Sequence, residues 1–92
     1  MIKSWKHKGL KRFFETGSTS GIQAKHAAKL SEQLFALHTA IKPNDLDRPG
    51  YVFHKLSGDL QEFYSIRVNG GWRLIFQFEN GNAFLVDYLN YH

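Results

Sequence analysis

At 92 residues, with 42% hydrophobic and 15% aromatic content, the chain is expected to form one small globular domain over residues 1–92, too short to divide in two. No apolar run of about 18 residues is present to span a bilayer, no secretory leader is legible in Met1-Ile2-Lys3-Ser4-Trp5, and the lack of cysteine excludes disulfides and thiolate chemistry, so a reducing, cytoplasmic setting is expected. The net charge of +4 is concentrated early, where Lys3, Lys6, Lys8, Lys11 and Arg12 precede the first acid, Glu15; this suits a polyanion such as nucleic acid or the ribosome, or simply a solvated helix face.

In chain order, Ile2 to Trp5 reads as a short opening strand. A helix follows from about Lys8 to Thr16, with Leu10, Phe13 and Phe14 on one face, the basic residues outward and Gly17 as its stop. After the Ser18-Thr19-Ser20-Gly21 link, Ala27, Leu30, Leu34, Leu37 and Ile41 recur at spacings of three and four. That pattern predicts an amphipathic helix from about Gln23 to Ala40, ended by Pro43, with His26 and His38 on it as ordinary surface or boundary groups. From Tyr51 onward the period becomes two. Phe53 to Leu56, Glu62 to Val68, Trp72 to Phe78 and Asn82 to Leu89 predict strands, separated by Ser57-Gly58-Asp59, Gly70-Gly71 and Asn80-Gly81. The order β-α-α-β-β-β-β describes an α+β fold, with two N-terminal helices packed on one face of a mainly antiparallel sheet.

Hairpin geometry then assigns side chains to faces. Asn80-Gly81 supplies the positive φ angles of a two-residue hairpin loop. Such a loop sets Phe78 against Ala83 and Arg73 against Tyr88, which places Asn90 and His92 on the face of Arg73 and Asp87 on the other. Trp72, Leu74, Phe76 and Phe78 form the row that packs on the helices. For the preceding hairpin, burial of Ile66 and Val68 favours a three-residue connection from Asn69 to Gly71 with Arg67 across from Arg73, over a two-residue loop that would separate the two arginines.

The open face therefore gathers Arg67, Arg73 and His92, with Tyr91 alongside, His54 entering from the first strand of the sheet and Lys55 next to it. Two guanidinium groups can hold a phosphodiester and stabilise the charge of a pentavalent transition state, while two imidazoles can divide acid and base roles. RNA fits this composition better than DNA, because its 2′-hydroxyl is a built-in nucleophile. The expected products are a 2′,3′-cyclic phosphate and a 5′-hydroxyl. The plainer reading makes Arg67 and Arg73 surface charges paired with Asp87 or Glu62, and His54 a half-buried polar group. Five histidines without a His-x-x-x-His pair, and no cysteine, argue against a metal centre. No Gly-x-Ser-x-Gly elbow or phosphate-cradling glycine loop is present, and no cofactor is expected.

The blocks Tyr64-Ser65-Ile66-Arg67-Val68-Asn69 and Trp72-Arg73-Leu74-Ile75-Phe76, the closing Tyr91-His92, the opening Met1-Ile2-Lys3-Ser4, Lys6-His7-Lys8-Gly9-Leu10 and Gly58 after His54 together resemble the HigB toxins of the RelE superfamily. The resemblance spans the whole chain. It implies a small toxin that enters the ribosomal A site, cleaves mRNA there and is neutralised by a HigA-type helix-turn-helix antitoxin: a monomer alone and a hetero-oligomer in complex, with no membrane role. It places His54, Tyr91 and His92 in catalysis and Arg73 at the scissile phosphate, while the early excess of charge makes Lys6, Lys8, Lys11 and Arg12 the residues expected against ribosomal RNA. Two positions depart from the family's pattern. Asn90 stands where members commonly carry Asp, and Ser57 where they often carry Lys. An asparagine orients a partner but accepts no proton as a base.

Two other functions fit the same fold class. One is a non-enzymatic inhibitor of DNA gyrase in the manner of ParE toxins, for which proton-transfer groups such as His54 and His92 would serve no purpose. The other is a plain RNA-binding module with Tyr64, Trp72 and Tyr88 as stacking platforms; the period-two pattern puts Trp72 in the core and ranks this reading last.

Overall fold

The computed structural model describes residues 1–60 and 62–91. Helix α1, Lys8–Thr16, starts where the His7 imidazole accepts the Leu10 N–H at 2.9 Å, and ends at Gly17, whose N–H returns to the Phe13 carbonyl at 2.8 Å. A 3₁₀ turn, Ala24–His26, leads directly into α2, Ala27–Thr39. Ile41 falls beyond that helix and is 79% exposed, so the apolar period used to extend the helix ended one step early. Pro43 opens a second 3₁₀ turn, Pro43–Leu46, in which the Asp45 carboxylate accepts the N–H groups of Ile41 and Lys42; those bonds hold its carboxyl below the usual carboxylate range.

The strands are β1 His54–Lys55, β2 Phe63–Asn69, β3 Trp72–Glu79 and β4 Asn82–Asn90, ordered β1-β2-β3-β4 and antiparallel throughout. The N-terminal segment adds parallel bridges at Ile2 to Ala83 and Trp5 to Val86, on the outer side of β4. One side of the sheet is closed by the helices. Leu10 from α1, Leu30, Leu34 and Leu37 from α2, and Ile66, Leu74, Phe76, Val86 and Tyr88 from the sheet form the buried core. Each fully buried leucine contributes roughly 1.5–3 kcal/mol through loss of apolar surface to water. Trp72 and Phe78 pack against this core as expected for the helix-facing row. No helix among the described residues is long and apolar enough to cross a membrane.

Two bulges set the register. In the β2–β3 hairpin Asn69 pairs with Trp72 around Gly70-Gly71, and the extra residue Val68 then restores Arg67 to a position across from Arg73. The expected pairing is thus reached through a two-residue turn plus a bulge. In β4, Phe78 faces Ala83 and Gln77 faces Phe84 as counted, but Ile75 faces Asp87, so Leu85 and Val86 together stand against Phe76. Leu85 adopts φ 53°, and its N–H, displaced from the ladder, donates to the Ser4 hydroxyl at 2.8 Å. The N-terminal segment therefore satisfies the bulge it lies against.

That bulge overturns the face assignment for the end of the chain. Arg73 faces Leu89 and Trp72 faces Asn90. Asn90 belongs to the helix-side row, and Asp87, beside Ile75, shares the face of Arg73. The count from the hairpin had them reversed, because it assumed an unbroken ladder.

Candidate active site

Two cross-strand rows define the open face. The first runs His54, Ser65, Ile75, Asp87 across all four strands; the second runs Arg67, Arg73, Leu89. Ser65 is fully buried, and the Arg73 guanidinium donates to its hydroxyl at 3.2 Å. Because Ser65 lies directly across from His54, where paired Cα atoms are about 4.5–5.5 Å apart, this bond carries the cation of the second row into the first, beside the imidazole-bearing strand. Ser65 is the residue that the sequence analysis missed as a positioning group, though it stood inside the Ser-Ile-Arg-Val block.

Arg67 is fixed through its backbone. Its carbonyl accepts the Gln33 side-chain amide at 2.6 Å and its N–H donates to the Tyr51 carbonyl at 2.6 Å, while its guanidinium reaches the Gly70 carbonyl at 3.2 Å. Gln33 is fully buried on α2, so the helix layer anchors the strand that presents this arginine. Two cations directly opposite one another on a sheet repel. Among the described residues, the Arg67 guanidinium donates to a carbonyl and that of Arg73 to a hydroxyl, both neutral acceptors.

The end of β4 is held from two sides. The Tyr91 N–H donates to the Gly71 carbonyl at 2.7 Å, and Gly71 sits so close to the Tyr91 carbonyl and the Asn90 side chain that a Cβ there would collide with both. Beneath it, Tyr88 stacks on Trp72 with ring centroids 4.6 Å apart, and its hydroxyl lies 2.6 Å from Nδ1 of the buried His26. The Gln23 N–H donates to the same hydroxyl at 3.4 Å, and the imidazole tautomer sets which of Tyr88 and His26 donates in the bond between them. Nε2 has no hydrogen-bond partner, and the ring stands edge-on to Trp72 at 5.7 Å. Burial, reinforced by Lys25, lowers the pKa of His26, and burial raises that of Tyr88. His26 is thus a core residue joining α2 to the terminal strand, not a surface group.

Of the other site residues read from the sequence, His54 and Tyr91 are exposed, and Tyr91 lies just past the end of β4. Lys55 pairs with Tyr64 and so stands on the face opposite His54. Lys6, Lys8, Lys11 and Arg12 are all exposed, on α1 and the segment before it. His92 lies outside the described residues. Among the described residues no cluster of three or more His, Asp or Glu side chains converges to hold a metal ion.

A family model described as HigB-like toxin, a RelE-like toxin of the type II toxin-antitoxin system HigB, matches residues 3–92. The chain is 46% identical over 92 residues to Endoribonuclease HigB of Proteus vulgaris, covering 100% of both proteins. It is 37% identical over 94 residues to Toxin HigB-1 of Vibrio cholerae serotype O1, covering 100% of this chain and 98% of that protein. Its fold is similar to the YoeB-YefM complex from Staphylococcus aureus, with a TM-score of 0.64, 21% identity and coverage of 100% and 95% of the two chains. The YoeB dimer from the same organism gives a TM-score of 0.61 at 22% identity, with 99% and 94% covered. The full-length family match and the two sequence relatives agree with the α+β architecture and its four-stranded sheet: the chain belongs to the HigB-like family of RelE-like toxins from type II toxin-antitoxin systems.

Proposed function

We propose that the protein is the toxin of a type II toxin-antitoxin pair and acts as an endoribonuclease on mRNA held in the ribosomal A site. The observation that carries this reading is the Arg73 guanidinium docked on Ser65, across from His54 and beside Arg67. A phosphodiester placed between the two arginines has its non-bridging oxygens bound by cations, and the extra charge of the pentavalent transition state strengthens that attraction. The RNA 2′-oxygen forms a bond to phosphorus as the bond from phosphorus to the 5′-oxygen breaks. The 2′-hydroxyl proton passes to a base and the 5′-oxygen takes one from an acid, roles assigned to His54, Tyr91 and His92.

Asn90 contributes orientation at most, from the side of Trp72. The exposed Lys6, Lys8, Lys11 and Arg12 meet ribosomal RNA, which explains a basic surface separate from the reacting groups. The partner outside the ribosome is an antitoxin of the HigA type, bound as a hetero-oligomer.

The test is a translation reaction reconstituted from purified ribosomes and a defined message. Cleavage is expected with ribosomes and little without them. Intact message in the presence of ribosome-bound protein would sink the proposal.

A further inference from the structure

The outer edge of β2 loses its neighbouring strand just before Arg67. β1 holds only His54 and Lys55, it covers β2 no further than Ser65, and the chain ahead of it departs from extended geometry at Val52, where φ is 48°. Two positions beyond Ser65, the N–H and carbonyl of Arg67 point to that same uncovered edge, away from β3. Neither is left bare. The N–H donates to the Tyr51 carbonyl at 2.6 Å, and the carbonyl accepts the Gln33 side-chain amide at 2.6 Å. A loop carbonyl and a helix side chain thus stand in for the missing strand.

Gln33 lies on α2 among Leu30, Leu34 and Leu37, and all four are buried. Burying an amide is unfavourable unless it is bonded, and an apolar side chain would fill the position without that cost. What the amide adds is the bond to Arg67. Because the backbone groups of Arg67 turn outward, Arg67 and Arg73 form a non-hydrogen-bonded pair, the kind whose side chains stand closest, with Cα atoms about 4.5 Å apart. Like charges so placed repel, and the bulge at the next residue, Val68, interrupts the ladder that would resist them. The two bonds at the outer edge oppose that repulsion. Transition-state charge is stabilised best by donors already in position, so the hold on the Arg67 backbone bears on rate as well as on folding.

We infer that Gln33 is a positioning residue for the reaction, one that touches no RNA and acts through the Arg67 carbonyl to keep that guanidinium opposite Arg73. The inference rests on the ribonuclease reading above. It is tested by single-turnover cleavage on programmed ribosomes at saturating concentration, comparing the wild-type protein, Gln33→Met, Gln33→Leu, Arg67→Ala and the double variant Gln33→Met with Arg67→Ala. Thermal melts and ribosome binding are measured alongside. Each Gln33 variant should be folded at the assay temperature, bind ribosomes within twofold of wild type and cleave about tenfold more slowly. That loss is smaller than the roughly 100-fold that a misplacement of about 1 Å costs, because the Tyr51 carbonyl still holds the Arg67 N–H. With Arg67 already replaced by alanine, Gln33→Met should cost less than about twofold, since residues that act through one another are not additive.

A wild-type rate in both Gln33 variants would overturn the inference while leaving the nuclease reading intact. So would an equal loss with and without Arg67, a wild-type rate in Arg67→Ala, or unfolding of both Gln33 variants at the assay temperature, which would make the residue a structural one. A wild-type protein that leaves ribosome-bound message uncut removes both readings.

Discussion

Replacing Gly71 by alanine moves the end of the chain without altering any proposed reacting group. A Cβ at that position would stand 2.6 Å from the Asn90 Oδ1 and nearer still to the Tyr91 carbonyl oxygen. Asparagine can swing its amide away, but the carbonyl belongs to the backbone, so Tyr91 itself must shift. Bringing even the 2.6 Å approach to an ordinary 3.4 Å contact takes 3.4 − 2.6 = 0.8 Å, and the carbonyl must yield more. A displacement of about 1 Å in a reacting group costs roughly 100-fold in rate. Overpacking of this kind destabilises by about 1–3 kcal/mol, and in a domain of this size each kcal/mol lowers Tm by about 4–8 °C. Single-turnover cleavage on programmed ribosomes, measured below the variant's melting range, should therefore fall about 100-fold for Gly71→Ala. Asn90→Ala should stay within a few-fold of wild type, since that side chain belongs to the Trp72 side, and adding it to Gly71→Ala should not rescue the rate. If Gly71→Ala melts earlier but cuts at the wild-type rate, Tyr91 and the residue after it are not among the reacting groups.

Other consequences concern how the site is held. Ser4→Ala removes the acceptor for the Leu85 N–H and should cost about 1 kcal/mol, with faster hydrogen exchange at Leu85; unchanged protection there would contradict the role given to Ser4. His26 is held neutral by burial and by Lys25, so its contribution to stability is fully present above the unfolded-state pKa of about 6.5 and is lost as pH falls through the lower folded value. Wild-type Tm should accordingly drop between pH 7.5 and 5.5 more steeply than that of His26→Gln, and parallel curves would refute the assignment. Gly9 and Gly21 touch backbone to backbone, with a Cβ on Gly9 falling 2.6 Å from the Gly21 carbonyl oxygen. Gly9→Ala should therefore cost about 1–3 kcal/mol or more, and a melting curve unchanged from wild type would show that this approach is relaxed.

Helix α1, the four strands and the pairing of Arg67 with Arg73 were legible in the sequence, because amphipathic period, Gly17 and the Gly-Gly and Asn-Gly turns act locally. The faces at the end of β4 were not. They depend on a bulge at Leu85, a residue type that gives no hint of positive φ, held by a hydroxyl 81 positions away. Asp87 and Asn90 exchanged faces for that reason alone. His26 and Gln33 were equally opaque: on a helix, a buried polar side chain differs from a surface one only by partners on other elements, here Tyr88 and the Arg67 carbonyl. The family blocks singled out His54 and Arg73 as candidates, while the bond that links their strands, Arg73 to Ser65, required the register of three strands.

The most direct test of the account is the chemistry of the cut ends. Message recovered from ribosomes treated with the protein should carry a 2′,3′-cyclic phosphate upstream and a 5′-hydroxyl downstream, and Arg73→Ala should reduce the yield of both by about 100-fold or more. Ends bearing a 5′-phosphate, or full cleavage by Arg73→Ala, would contradict an attack by the RNA 2′-hydroxyl on a phosphate held at Arg73.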